Sequence, residues 1–125
     1  MKKLPDDIIK AWDNRKGPIV FTTVDKEGLP NSIFATCVSK YNDEAIIIAD
    51  NYFDKTKKNI ISGSAGSVLF ITNDDKSYQI KGTITYYTEG AIFDDMKKWN
   101  PEKHPGHAAA LLEAVEIYSG SKKIL

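Results

Sequence analysis

Ala45-Ile46-Ile47-Ile48-Ala49-Asp50-Asn51-Tyr52-Phe53-Asp54-Lys55-Thr56-Lys57-Lys58-Asn59-Ile60 is the stretch on which the fold turns. Its first five residues are apolar and read as a strand. The following residues, about 54–62, read as a helix that Gly63 ends. Three lysines and a threonine at the mouth of a helix suit a small phosphate dianion. The first-turn N–H groups lack partners within the helix, and the helix dipole favours negative charge there. Lysine ammonium groups and a threonine hydroxyl would add further hydrogen bonds. A solvated, amphipathic helix start would read the same way.

Upstream, residues 6–15 place Ile8, Ile9, Ala11 and Trp12 at helical spacing behind Pro5, and Gly17-Pro18 ends the segment. Residues 19–24, Ile-Val-Phe-Thr-Thr-Val, are β-branched and strand-like. Asp25-Lys26-Glu27-Gly28 supplies a hairpin turn. A second strand is expected over residues 30–40, with Asn42-Asp43 turning it into the apolar strand.

Downstream, residues 67–72 and 78–87 read as strands around the turn Asn73-Asp74-Asp75-Lys76, and residues 91–99 as a helix. Residues 107–118 are ambiguous: their alanines favour a helix, whereas Val115-Glu116-Ile117-Tyr118 alternates like a strand. Strands outnumber helices about six to three, and most neighbours are joined by short turns. A mainly antiparallel sheet curled to limit its exposed edges follows. A Rossmann sheet is not expected, because strand and helix do not alternate and no G-x-G-x-x-G occurs.

Composition narrows the function. The chain has 125 residues, enough for one domain that buries about two-thirds of its unfolded surface. Lys plus Arg and Asp plus Glu number 17 each, so the chain lacks the basic excess of a generic nucleic-acid binder. Any anion site must be local. Cys37 is the single cysteine and cannot form an internal disulfide. No apolar run approaches membrane-spanning length and no signal core precedes residue 6, so a cytoplasmic location is expected.

Catalytic signals are sparse. His104 and His107 flank Pro105-Gly106 without nearby carboxylate or thiol, so no metal is expected. Cys37 reads as a small core residue of a strand. No nucleophile or acid–base pair stands out. The aromatics Phe34, Tyr52 and Phe53 bracket the lysines, where they would serve either the core or a planar ligand.

The order of these segments, with Lys55-Thr56-Lys57-Lys58-Asn59-Ile60 and Tyr78-Gln79-Ile80-Lys81-Gly82-Thr83 as its strongest pieces, resembles the pyridoxamine 5′-phosphate oxidase-like family of FMN-binding split-barrel proteins, nearest its short flavoproteins. The resemblance covers roughly residues 8–118. It implies a six-stranded antiparallel split β-barrel of Greek-key type with about three short helices. It also implies a homodimer holding FMN in two clefts between subunits.

By position, Lys55 and Thr56 match the phosphate ligands, with Lys57 and Asn59 in support. Ser32, Ile33, Phe34 and Ala35 match the strand bordering the isoalloxazine ring. Ala49, Asp50 and Asn51 match the strand end whose backbone meets the ring's polar edge. Gln79 and Lys81 would reach the flavin of the other subunit. Authentic pyridoxamine phosphate oxidases carry a longer C-terminal region with arginines that grip substrate phosphate. Here Arg15 is the only arginine, so oxidation of vitamin B6 is not expected.

The implied role is flavin-dependent redox chemistry or electron transfer, with an unspecified redox partner or small substrate. Its rivals are an oxidase or reductase acting on a B6 vitamer or a nitroaromatic, a binding or sensor module for haem or a deazaflavin, and an interaction domain whose lysines are merely solvated.

Overall fold

The apolar strand β4, Ala45–Asp50, is buried along its whole length in the computed structural model, which describes residues 2–125. Side chains alternate across a strand. Ile46 and Ile48 therefore enter one apolar cluster, while Ala45, Ile47 and Ala49 enter another on the opposite face. This double burial explains why the segment shows no polar alternation.

The first cluster gathers Ile8 and Trp12 of α1 (Asp6–Asp13), Ile19 and Phe21 of β1 (Ile19–Val24), and Val68 and Phe70 of β5 (Gly66–Ile71). Ile80 of β6 (Ser77–Tyr87), Leu112 and Ile117 of β7 (Ala108–Ser119), and Ile60 of α2 (Lys55–Ile61) complete it. Trp12 meets Phe70 edge-on at 5.3 Å, within the range that favours aromatic pairs. The second cluster packs α3 (Ala91–Trp99), through Met96, Ile92, Phe93 and Trp99, over β4 and β7.

With β2 (Pro30–Ala35), β3 (Val38–Tyr41) and β8 (Lys122–Lys123), the sheet has eight strands among the described residues, all paired antiparallel. The order is β2-β1-β5-β6-β7-β4-β3, with β8 on β7. Six strands are therefore too few, and the expected strand over residues 30–40 is two. It breaks at Thr36 and Cys37, and its halves lie at opposite ends of the strand order. Two extended residues span only about 7 Å. The sheet must therefore curl until its edges adjoin, and it forms a half-barrel. Cys37 sits at this corner, half-buried, and its carbonyl accepts the Ala49 N–H at 3.0 Å.

The ambiguous segment resolves as β7. Its Ala109 and Ala110 are fully buried between β6 and β4, and Ala108 is fully buried beside β4, so ladder pairing and packing override the helical propensity of alanine. A bulge at Lys81/Gly82 brings β6 against β7, and a Cβ at Gly82 would lie 1.8 Å from the Glu113 carbonyl oxygen. Only glycine fits that approach.

Candidate functional site

At the end of β4 the chain turns through Asn51, Tyr52, Phe53 and Asp54 before α2 begins at Lys55. The turn is held by two buried side chains. Asp50, 2% exposed, accepts the Phe53 N–H at Oδ1 (3.0 Å) and the Tyr86 hydroxyl at Oδ2. Asn51 and Asn100 exchange amide hydrogen bonds of 3.0 and 2.9 Å, and the Gly106 N–H donates to Asn51 Oδ1 at 2.9 Å. The Asp50 carbonyl accepts the His107 N–H at 2.8 Å. The turn is thereby tied to β6, to the end of α3 and to the start of β7.

Residues beyond the turn behave differently. Lys55, Lys57 and Lys58 are exposed. Lys58 lies 3.7 Å from Asp54, whereas Lys55 and Lys57 have no carboxylate partner among the described residues. The Lys57 ammonium sits 5.9 Å from the centre of the Tyr86 ring. Burial, reinforced by the hydrogen bond to Asp50, pushes the Tyr86 phenol above its usual range, so it stays protonated and donating well into alkaline pH.

Thr56 and Asn59 face inward. Thr56 is 1% exposed and its Oγ1 accepts from Asn31 Nδ2 at 3.2 Å, while Asn59 donates to Thr23 Oγ1 at 3.0 Å. Both bonds clamp α2 to the β1–β2 hairpin.

A cavity of about 290 Å³ lies beside the turn, walled by Ile33, Phe34 and Ala35 of β2, by Ala49 and Asn51, and by Tyr52, Phe53, Cys37 and His104. Phe34 is 78% and Tyr52 72% exposed, an unusual placement for large aromatics. Tyr52 and His104 pair through hydroxyl and Nδ1 at 3.1 Å. A second cavity of about 440 Å³ is lined by Lys55, Lys58, Asn31 and Leu29, with Asp25 and Glu27 on the same wall.

The expected site residues thus divide. Ile33, Phe34, Ala35, Ala49 and Asn51 share one cavity, and Lys55 lines the other. Ser32 bonds Thr22 across the β1–β2 hairpin at 2.8 Å. Gln79 and Lys81 lie elsewhere, in a groove of about 370 Å³ with Val24, Gly66 and Val115. Lys81 sits 5.0 Å from the ring of Tyr118, whose phenol is raised by its hydrogen bond to Glu116. Tyr86, Asn100 and His104 were not legible as site residues, because each reaches the turn through a contact remote in sequence. The described residues hold no cluster of His, Cys, Asp and Glu suited to a metal, and no helix among them is long and apolar enough to cross a membrane.

A model of the family described as pyridoxamine 5′-phosphate oxidase matches residues 6–121. An uncharacterized protein of Methanocaldococcus jannaschii is 32% identical over 124 residues, covering 94% of this chain and 80% of that protein. Among solved structures, HupZ of Group A Streptococcus superposes with a TM-score of 0.79 at 23% identity over 93% of each chain. An FMN-binding protein from Syntrophomonas wolfei superposes with a TM-score of 0.75 at 22% identity, over 90% of this chain and 82% of that one. These structural likenesses establish a common split-barrel fold. Together with the match along nearly the whole chain, they mean that this protein belongs to the pyridoxamine 5′-phosphate oxidase family.

Proposed function

We propose that this protein is a flavoprotein that holds FMN beside the β4–α2 turn and serves in redox chemistry or electron transfer. One observation carries the reading: the aromatic-walled cavity ends at Phe53, and two and four residues further on stand Lys55 and Lys57, exposed and with no carboxylate at ion-pair distance among the described residues. FMN has the matching parts, a flat ring, a polar ribityl chain and a phosphate dianion. The donor set fits it. Phe34, Ile33 and Ala35 would border the ring, and Lys55 and Lys57 would receive the phosphate through charge-assisted bonds worth roughly 1.5–3 kcal/mol each.

Asn51 would contribute backbone groups, since its side chain is already engaged, while Asp50, whose side chain and carbonyl are both engaged, would brace the turn beside the ring's polar edge. Thr56 and Asn59 would support the site by fixing α2. FMN, when bound, supplies the electron or hydride transfer, and the protein supplies binding, orientation and potential.

The reading includes a homodimer. Gln79 and Lys81 lie in a groove separate from the cavity that Phe34 lines, so any contact they make with FMN would cross to a second copy. Exposed Leu29, Phe34, Tyr52 and Val115 supply apolar surface for such an assembly.

Native mass spectrometry of the protein incubated with FMN tests both parts, with two chains and two FMN as the expected mass. A single chain that ignores FMN would overturn the reading, and uptake of haem or a deazaflavin in its place would redirect it.

A further inference from the structure

We propose that Tyr86, on β6 and outside every segment matched to the cofactor, is the positioning residue for the phosphate end of the site. The inference rests on the FMN reading above. Asp50 is a buried carboxylate with no cation at ion-pair distance among the described residues. Burying such a charge is costly unless hydrogen bonds compensate it. Its compensation is the Phe53 N–H and the Tyr86 hydroxyl.

The Phe53 bond closes the turn that delivers the chain into α2 two residues later. The same carboxylate therefore sets where Lys55 emerges, and Tyr86 holds that carboxylate in place. The tyrosine acts a second time through its ring, which lies under the Lys57 ammonium at 5.9 Å. One half-buried side chain thus touches both the anchor of the turn and a cation of the anion site, while reaching neither the cavity that Phe34 lines nor the one that Lys55 lines. With the phenol kept protonated, this support persists across neutral pH.

A difference between two ligands isolates this role. Riboflavin shares the ring and ribityl chain of FMN but lacks the phosphate. Fluorescence titrations with both flavins are made on the wild type, Tyr86→Phe, Asp50→Asn and the double variant. Tyr86→Phe is expected to weaken FMN about tenfold and leave riboflavin unchanged. The same substitution in the Asp50→Asn background is expected to add little, since the hydroxyl then has no carboxylate to hold.

Equal losses for both flavins, an unchanged FMN-to-riboflavin ratio, or full additivity with Asp50→Asn would each overturn the inference. If Tyr86→Phe does not fold, Asp50→Asn alone must shift the ratio, and failure to do so overturns it as well. A wild type that binds FMN beside an indifferent Tyr86→Phe removes this inference only. A wild type that binds neither flavin removes the functional reading with it.

Discussion

The pair Asp50 and Asn51 and the pair Lys55 and Lys57 are neighbours in the chain and opposites in chemistry. In the first group, Asp50 and Asn51 are buried and spend their side-chain hydrogen bonds on Phe53, Tyr86, Asn100 and Gly106. In the second, Lys55 and Lys57 stand in solvent with no ion pair among the described residues. Polar groups already satisfied inside the protein hold shape. Polar groups left unsatisfied at the surface are free to meet a ligand. The contrast separates scaffold from the proposed binding surface within nine residues of one another.

The largest expected effect falls on the scaffold. Asp50→Ala strands the Tyr86 hydroxyl and the Phe53 N–H, and each unsatisfied buried group costs roughly 1–3 kcal/mol. A loss of about 3 kcal/mol in urea unfolding is expected. A loss below about 1 kcal/mol would mean that water reaches the turn and would erase the contrast.

The second effect falls on the surface. Lys55→Ala with Lys57→Ala is expected to weaken FMN by about 30-fold, or ~2 kcal/mol, while the unfolding midpoint stays within about 0.5 kcal/mol of wild type. A stability loss without a change in FMN affinity would reverse the two assignments.

A third prediction uses pH. Because burial and the Asp50 bond raise the Tyr86 pKa in the folded state, this group's contribution is complete below its unfolded value of 10.0. It declines as pH rises beyond that value, since the folded state resists losing the proton. Stability above pH 10 should therefore fall more steeply in the wild type than in Tyr86→Phe. Parallel curves by circular dichroism would show that the phenol is not coupled to folding.

The smallest effect belongs to Lys58, whose exposed pairing with Asp54 at 3.7 Å is worth at most about 0.5 kcal/mol. Lys58→Ala should leave stability almost unchanged.

The structure also separates what was legible beforehand from what was not. The run of isoleucines at 46–48 announced an apolar strand, and Asn42-Asp43 announced the turn before it, where both residues take positive φ. The 30–40 segment misled because the Thr36–Cys37 corner contains neither Gly nor Pro. Only pairing with opposite sheet edges divides it. β8 escaped notice because two lysines carry no strand pattern, and it forms only by folding back on β7. At the site, the lysines were legible because charge at a helix start is a local feature. The inward turn of Thr56 and Asn59 was not, since their partners Asn31 and Thr23 lie 25 and 36 residues away.

Sequence alone determined the local matters: most of the strands and the turns marked by Gly, Asn and Asp, where the cationic cluster lies, and that a mainly antiparallel sheet must result. These follow from propensities and periodicities that act over a few residues. Tertiary structure decided that the alanine-rich segment becomes a strand, that Asp50 and Asn51 brace the turn with their side chains, and that Tyr86 supports it. The reason is physical: burial and hydrogen-bond satisfaction depend on groups far apart in the chain, and those groups meet only once the sheet has curled.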